Sequence, residues 1–221
     1  KTKGYFPTDS VIVHVNKQNI INQGMALPQG KEAIPDHINL SLAWAMRNGQ
    51  GGLYRKDVMI YEMLARNDWK RPMYMSVTIG TNNFAGLQDY FILEGLAYRI
   101  TPFKRELGTI DTNLMYNNLI KRFRYGNLNK PGIYLDTTNM KMAQTHRNMF
   151  TMLAQRLLME GQTAKAREVL AMSEKMLPAS NIPYEENDYQ LAQIWLQAGN
   201  AKKAGEIATA VAKYNAQYLD W

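Results

Sequence analysis

The sequence predicts a mixed layer, α+β or α/β, over residues 1–136, followed by an all-α tail of helical hairpins over residues 137–221. Two observations carry this reading. The first is a repeat near the end: Leu153-Ala154-Gln155 recurs as Leu191-Ala192-Gln193, Gly161 as Gly199, Ala166 as Ala204 and Glu168 as Glu206. The offset is 38 residues throughout (191 − 153, 199 − 161), and a constant offset marks a repeated structural unit. The second is the alternation, before residue 136, of short β-branched or alternating runs with two helix-period segments and Gly/Pro punctuation.

Taken in order, Val11-Ile12-Val13-His14-Val15 reads as a strand, and Ile38 to Trp44 alternates apolar with small or polar residues as a half-buried strand does. Asn48-Gly49-Gln50-Gly51-Gly52 is a loop, and no Gly-Lys-Ser/Thr follows to make it a phosphate cradle. Asp57 caps a helix through Ala65 whose inner face holds Val58, Tyr61, Leu64 and Ala65. Pro72 disfavours helix at Arg71, and Met73 to Ile79 alternates as a third strand. Residues 86–90 form a helical turn, and residues 96–101 a strand stopped by Pro102. From Asp111, the residues Leu114, Met115, Asn118, Leu119, Arg122 and Phe123 keep helical spacing until Gly126. Strand, helix and strand in succession imply a small α/β or α+β layer.

The tail is of the tetratricopeptide kind, with a small residue where two antiparallel helices cross. In the first hairpin Phe150, Leu153 and Leu157 form the apolar stripe of the leading helix, Ala154 is the small residue, Gly161-Gln162 turns the chain, and Ala166 and Leu170 return inward. In the second, Leu191, Ala192 and Trp195 take the leading roles, Gly199-Asn200 turns, and Ala204, Ala208 and Val211 face inward. The offset exceeds the usual period by about four residues, which places the excess in the Pro178 to Pro183 linker. Such arrays bind with the inner face of the leading helices. Here that face holds Asn148, Thr151, Gln155, Leu158, Met159, Glu186, Tyr189, Gln193 and Gln197. It is amide-rich rather than the cationic clamp that grips a peptide carboxylate, and with two repeats it serves equally well as a packing surface.

The chain has 221 residues and no cysteine. That excludes disulfides, thiolate metal sites and a Cys nucleophile. His14, His37 and His146 are scattered outside any ligand spacing, and neither a Gly-x-Ser-x-Gly elbow nor a Gly-x-Gly-x-x-Gly fingerprint is present. No cofactor and no metal are expected. A net charge of +7 favours anionic partners or plain solubility. No apolar run reaches about 18 residues. The sequence opens at Lys1 without a secretory pattern, and the expectation is a piece of a longer protein.

Three weaker constellations remain. Asp89 and Glu94 form a candidate acid/base pair of the kind glycan-acting enzymes use. Lys121-Arg122-Phe123-Arg124-Tyr125 interleaves cations with aromatics and suits phosphate backbones, an anionic membrane surface or a helix end. Trp69-Lys70-Arg71-Pro72 with Tyr74 is a polar-aromatic cluster suited to sugar binding or to packing.

The strings Asp57 to Ala65, Asn67-Asp68-Trp69-Lys70-Arg71-Pro72-Met73-Tyr74, Glu94 to Pro102 and Asp111 to Leu119, with the repeat tail, form a series. It resembles the soluble C-terminal region of a family of Bacteroidetes multi-spanning membrane proteins, known as a domain of unknown function, whose membrane half is similar to protein O-mannosyltransferases. The resemblance implies a location on the periplasmic side of the inner membrane. It also implies that the catalytic acid lies in the membrane half, so that this region is not an enzyme by itself. The expected function is a non-catalytic accessory domain that binds or positions a protein or glycan acceptor through Trp69, Arg71, Tyr74, Asn148, Thr151, Gln155, Tyr189, Gln193 and Gln197. The membrane partner is the missing N-terminal half, and nucleic acid is not an expected partner. The alternatives are a structural or oligomerisation domain and a carboxylate-dependent glycan-acting enzyme.

Overall fold

A computed structural model of the chain describes residues 9–25, 27, 33–47, 52–106 and 108–217. Most of the expected glycine loop, residues 48–51, lies outside them. The chain divides into two compact units, Lys1–Asp111 and Thr112–Trp221.

The first unit is α+β. Strand β1, Ser10–His14, pairs antiparallel with β2, His37–Ser41, from Ser10 opposite Ser41 to His14 opposite His37. Alternation sends Val13, Ile38 and Leu40 into the core and leaves Ile12, His37, Asn39 and Ser41 exposed. Between them lies α1, Lys17–Asn22, capped by Asn16, whose side chain accepts the Asn19 N–H at 3.2 Å. The expected strand 38–44 ends at Ser41, whose hydroxyl accepts the Ala43 N–H and starts α2, Ala43–Arg47. Helix α3, Arg55–Asn67, begins before Asp57. Asp57 sits inside the first turn, where it accepts the Tyr54 N–H at 2.9 Å. Val58 stays outside the core, while Tyr61 and Leu64 are buried.

A second sheet holds β3, Tyr74–Ser76, β4, Phe91–Leu93, and β5, Ala97–Ile100, in the order β3-β5-β4, antiparallel throughout. Antiparallel neighbours need no helical crossover, which resolves the layer as α+β rather than α/β. Both sheets, α1 and α3 share one core, with Val13, Ile20, Leu40, Leu64, Leu87 and Phe91 at its centre. Each such aliphatic or aromatic side chain contributes roughly 1.5–3 kcal/mol by leaving water.

The second unit is helical. It opens with α4, Thr112–Tyr116, which widens into a π-helical turn over Asn117–Arg122 and ends where the Phe123 N–H reaches back to the Asn118 carbonyl at 2.8 Å. The long helices are α5, Thr137–Met159, α6, Thr163–Met176, α7, Tyr189–Gln197, and α8, Ala201–Ala216. The sequence reading divided the chain near Asp136, whereas residues 112–136 fold with the helices. The Tyr116 hydroxyl donates to Glu168 at 2.6 Å, and the Asn181 amide donates to the Leu128 and Lys130 carbonyls, both at 2.8 Å.

The repeat is visible atom by atom. Gly161 has φ +73 and Gly199 has φ +87, a left-handed turn that favours glycine. The Gly161 N–H bonds the Leu158 carbonyl and Gln162 that of Leu157, and 38 residues on Gly199 bonds Leu196 and Asn200 bonds Trp195. Phe150, Leu153, Ala154, Leu157, Ala166, Leu170, Leu191, Ala192, Trp195, Ala204 and Val211 are buried, and Ala208 is half-buried. Val169 and Ile207, also 38 residues apart, complete the inward faces. The long linker between the hairpins wraps one buried cation, Arg147, whose Nη atoms donate to the carbonyls of Leu177 at 3.0 Å, Ile182, and Pro183 at 3.1 Å, and to Asp188 at 3.1 Å.

Candidate functional site

In the first unit the backbone of β2 sets the site. Antiparallel partners alternate between pairs that exchange hydrogen bonds and pairs that do not. The Leu42 N–H bonds the Asp9 carbonyl at 2.8 Å, and the Val15 N–H bonds that of Asp36 at 2.9 Å. The bonded partners of β1 are therefore Asp36, Ile38, Leu40 and Leu42. The N–H and C=O groups of His37, Asn39 and Ser41 point the other way, and among the described residues no strand pairs with that edge.

A groove runs along this edge. One cavity of about 790 Å³ is lined by Asn39, Ser41, Trp44, Asn82, Asp89 and Tyr90, among others. A second, of about 450 Å³, continues past His37 and Phe103, and the two share Asn39, Tyr90 and Lys104. The walls are held from behind. The Trp44 indole N–H donates to the Tyr61 hydroxyl at 3.2 Å, which donates to the Ala85 carbonyl at 2.6 Å. Burial raises the Tyr61 phenol pKa, so it stays a donor. Gly86, at φ +73, lets the backbone lie against Trp44, and a Cβ there would meet the indole at 2.5 Å. The Tyr90 hydroxyl reaches the Asn39 carbonyl at 3.4 Å, and its pKa is raised by burial and secondarily by the Asp89 charge. Tyr90 itself is fixed through its carbonyl, which accepts the Thr101 N–H at 2.8 Å and the Thr101 hydroxyl at 3.1 Å.

The groove thus combines the partly buried Trp44 indole, the hydroxyl edge of the otherwise buried Tyr90, several amides and hydroxyls, one carboxylate, one ammonium and a strand edge. Of the carboxylate pair read from the sequence, Asp89 lines the groove. Glu94 is buried elsewhere, in an ion pair with Arg99 at 3.3 Å, and accepts the Tyr74 hydroxyl at 2.7 Å. No group of three or more His, Asp or Glu side chains placed to hold a metal exists among the described residues.

The other sequence candidates separate by burial. Trp69 is 2 % exposed, sits at φ +56, and donates its indole N–H to the His14 carbonyl at 2.8 Å. It closes α3 onto β1 and offers no face to a ligand. Arg71 is exposed, and its backbone N–H and carbonyl bond the Asn67 amide. Tyr74 is half exposed, with its hydroxyl engaged by Glu94 and its pKa pushed up to about 12 by burial and by that carboxylate. On the hairpins Asn148, Gln155, Tyr189, Gln193 and Gln197 are exposed. Thr151 is buried, its hydroxyl donating to the Arg147 carbonyl one turn back at 3.1 Å. In the basic-aromatic stretch Lys121, Arg122 and Arg124 are exposed, but Tyr125 is buried with its hydroxyl on the Leu119 carbonyl, so it stacks no base.

The family model described as TMEM260-associated domain 2 matches residues 1–118 of the 221. The chain belongs to this family. The match takes in the whole first unit, groove included, and supports a domain associated with a membrane-protein family. No curated protein and no solved structure matches the chain. Sequence reasoning missed the groove of this TMEM260-associated domain because it took Trp44 as the end of a strand. The legible signal was Asn39 and Ser41 on the polar side of an alternating strand.

Proposed function

We propose that the chain is a non-catalytic accessory domain of a membrane glycosyltransferase-like protein, and that it holds a protein or glycan acceptor in the β2 groove. The groove carries the reading: a preformed concavity in the family-matched unit, walled by Trp44 and by the hydroxyl edge of Tyr90, and lined with amides, hydroxyls and a strand edge that no described strand covers. Aromatic faces beside hydrogen-bonding groups suit polar, uncharged ligands. The family description supports a membrane-protein association, and no helix among the described residues is long and apolar enough to cross a membrane. On this reading the transferase chemistry lies in a membrane half similar to protein O-mannosyltransferases. The domain faces the periplasm, and the hairpins, arranged in the tetratricopeptide manner, offer Gln155, Tyr189 and Gln193 as a second contact surface.

The test is titration of the purified protein with a panel of soluble oligosaccharides and extended peptides, followed by heteronuclear NMR. Binding that perturbs Trp44, Asn82 and Tyr90 and is lost in Trp44→Ala supports the proposal. A folded protein that binds no member of either panel rejects it. A structural or oligomerising role is the second reading. It is favoured by the exposed apolar face of α3, formed by Val58, Met59 and Met63, and a concentration-dependent mass in sedimentation that Met59→Glu abolishes would select it.

A further inference from the structure

We infer that the occupant of the β2 groove is an extended polypeptide segment that adds as a further strand to β2. This rests on the acceptor-holding reading above and names its substrate class.

Three observations converge. His37, Asn39 and Ser41 direct their N–H and C=O groups away from β1, which gives the donor and acceptor spacing an incoming strand needs. The groove follows those same three residues, with His37 on the second cavity, Ser41 on the first and Asn39 on both. It therefore tracks the edge over about 14 Å, enough for roughly five residues of strand. Finally, the Tyr90 hydroxyl already rests on the Asn39 carbonyl at 3.4 Å, a long contact at an acceptor with a second lone pair, which a peptide N–H can join or replace.

The walls define the segment. Trp44, Tyr90 and the 81–86 loop flank the edge, so a single strand enters where the edge of a folded sheet does not. Exposed Lys104 lines both cavities. A lysine beside a strand edge is a device that protects edges from self-pairing, which disfavours a second copy of this chain as the occupant. The occupant is thus a strand from another protein. The amide and hydroxyl lining of Asn39, Ser41, Asn82 and Gln88 suits a segment rich in Ser, Thr and Asn.

The test uses the whole chain and a fluorescein-labelled nine-residue peptide of alternating Ser, Thr and Asn. Two analogues of it are N-methylated at alternate residues, one on each edge of the strand. Strand addition predicts that methylation of one edge weakens binding about tenfold to a hundredfold, while methylation of the other leaves it unchanged. Asn39→Pro removes the central outward N–H at an edge position that tolerates proline, and it should weaken the unmodified peptide about tenfold with little change in the unfolding midpoint. Should that variant not fold, the two methylated peptides decide on the unaltered chain. Equal binding of both methylated peptides overturns strand addition. Binding of a mannose oligosaccharide at Trp44 and Tyr90 with no peptide binding overturns it too, but leaves the acceptor-holding reading standing. Failure of both ligand classes removes both proposals.

Discussion

Arg147 is the side chain on which the second unit most depends. It lies on α5, 1 % exposed, and its guanidinium satisfies three linker carbonyls and the Asp188 carboxylate while its carbon sits 4.8 Å from the centre of the Tyr184 ring. Residues 177–185 lack regular structure, so these carbonyls have no ladder to bond. Arg147→Ala leaves them unpaired and strands a carboxylate that burial already pushes above its usual range. Removing one partner of a buried pair costs about 3–5 kcal/mol. The unit spans 110 residues (221 − 111), for which about 0.05–0.15 kcal/mol per residue gives a total near 5–15 kcal/mol. A loss of that size lowers the melting temperature of a domain this large by upwards of about 10 °C. Arg147→Lys should recover only part of it, because one ammonium cannot span four acceptors. The assay is urea unfolding followed by far-ultraviolet circular dichroism, at neutral and acid pH. Without Arg147, Asp188 should take up a proton at a higher pH, so the loss should shrink as pH falls. A destabilisation below about 1 kcal/mol, within the range of an ordinary surface change, would refute the reasoning.

The remaining predictions concern single contacts. Gly86→Ala places a side chain at φ +73 against Trp44. It should cost about 1–2 kcal/mol through the left-handed backbone alone and change the near-ultraviolet dichroism of the indole, and an unchanged spectrum would mean Trp44 is not seated on Gly86. His146 is half-buried with its Nδ1 unpartnered, and burial lowers its pKa below the ordinary 6.5. The unfolded chain therefore binds the proton first, so stability is full above 6.5 and is lost as pH falls through the folded value. His146→Gln should flatten that slope in pH-dependent unfolding. Tyr74 has a folded pKa near 12 against 10 when unfolded. The stability tied to its proton is present below pH 10 and lost as pH rises toward 12, and Tyr74→Phe should remove this alkaline slope at a cost of about 1 kcal/mol for the bond to Glu94. Equal slopes in the two proteins would show that Tyr74 does not carry it.

The legible parts of the fold were those with local periodicity. The 38-residue offset announced the hairpins because each leading helix needs Leu, a small residue and a glycine turn at the same spacing, and Gly161 and Gly199 duly share one geometry. β-Branched residues announced β1, and alternation announced β2. The three-residue strand Phe91–Leu93 was not legible, because its side chains are buried on both faces and nothing alternates. The Trp69-Lys70-Arg71-Pro72 string read as a ligand platform, yet Trp69 is buried against the His14 carbonyl, 55 residues away in sequence. Local sequence carries no trace of such a contact.

By itself the sequence determined which residues turn inward on the hairpin helices, where the repeat turns fall, and that a mixed layer, α+β or α/β, precedes an all-α tail. Those outcomes follow from side-chain spacing against periods of 3.6 and 2 and from glycine's access to positive φ. Only the tertiary structure decided that the outer edge of β2 has no strand partner among the described residues, that Trp44 rather than Trp69 walls a groove, and that Asp89 and Glu94 lie in different surroundings. Those outcomes depend on chain segments tens of residues apart meeting in space. Whether an aromatic ring or a carboxylate is buried or open is set by what packs over it, not by its neighbours in sequence.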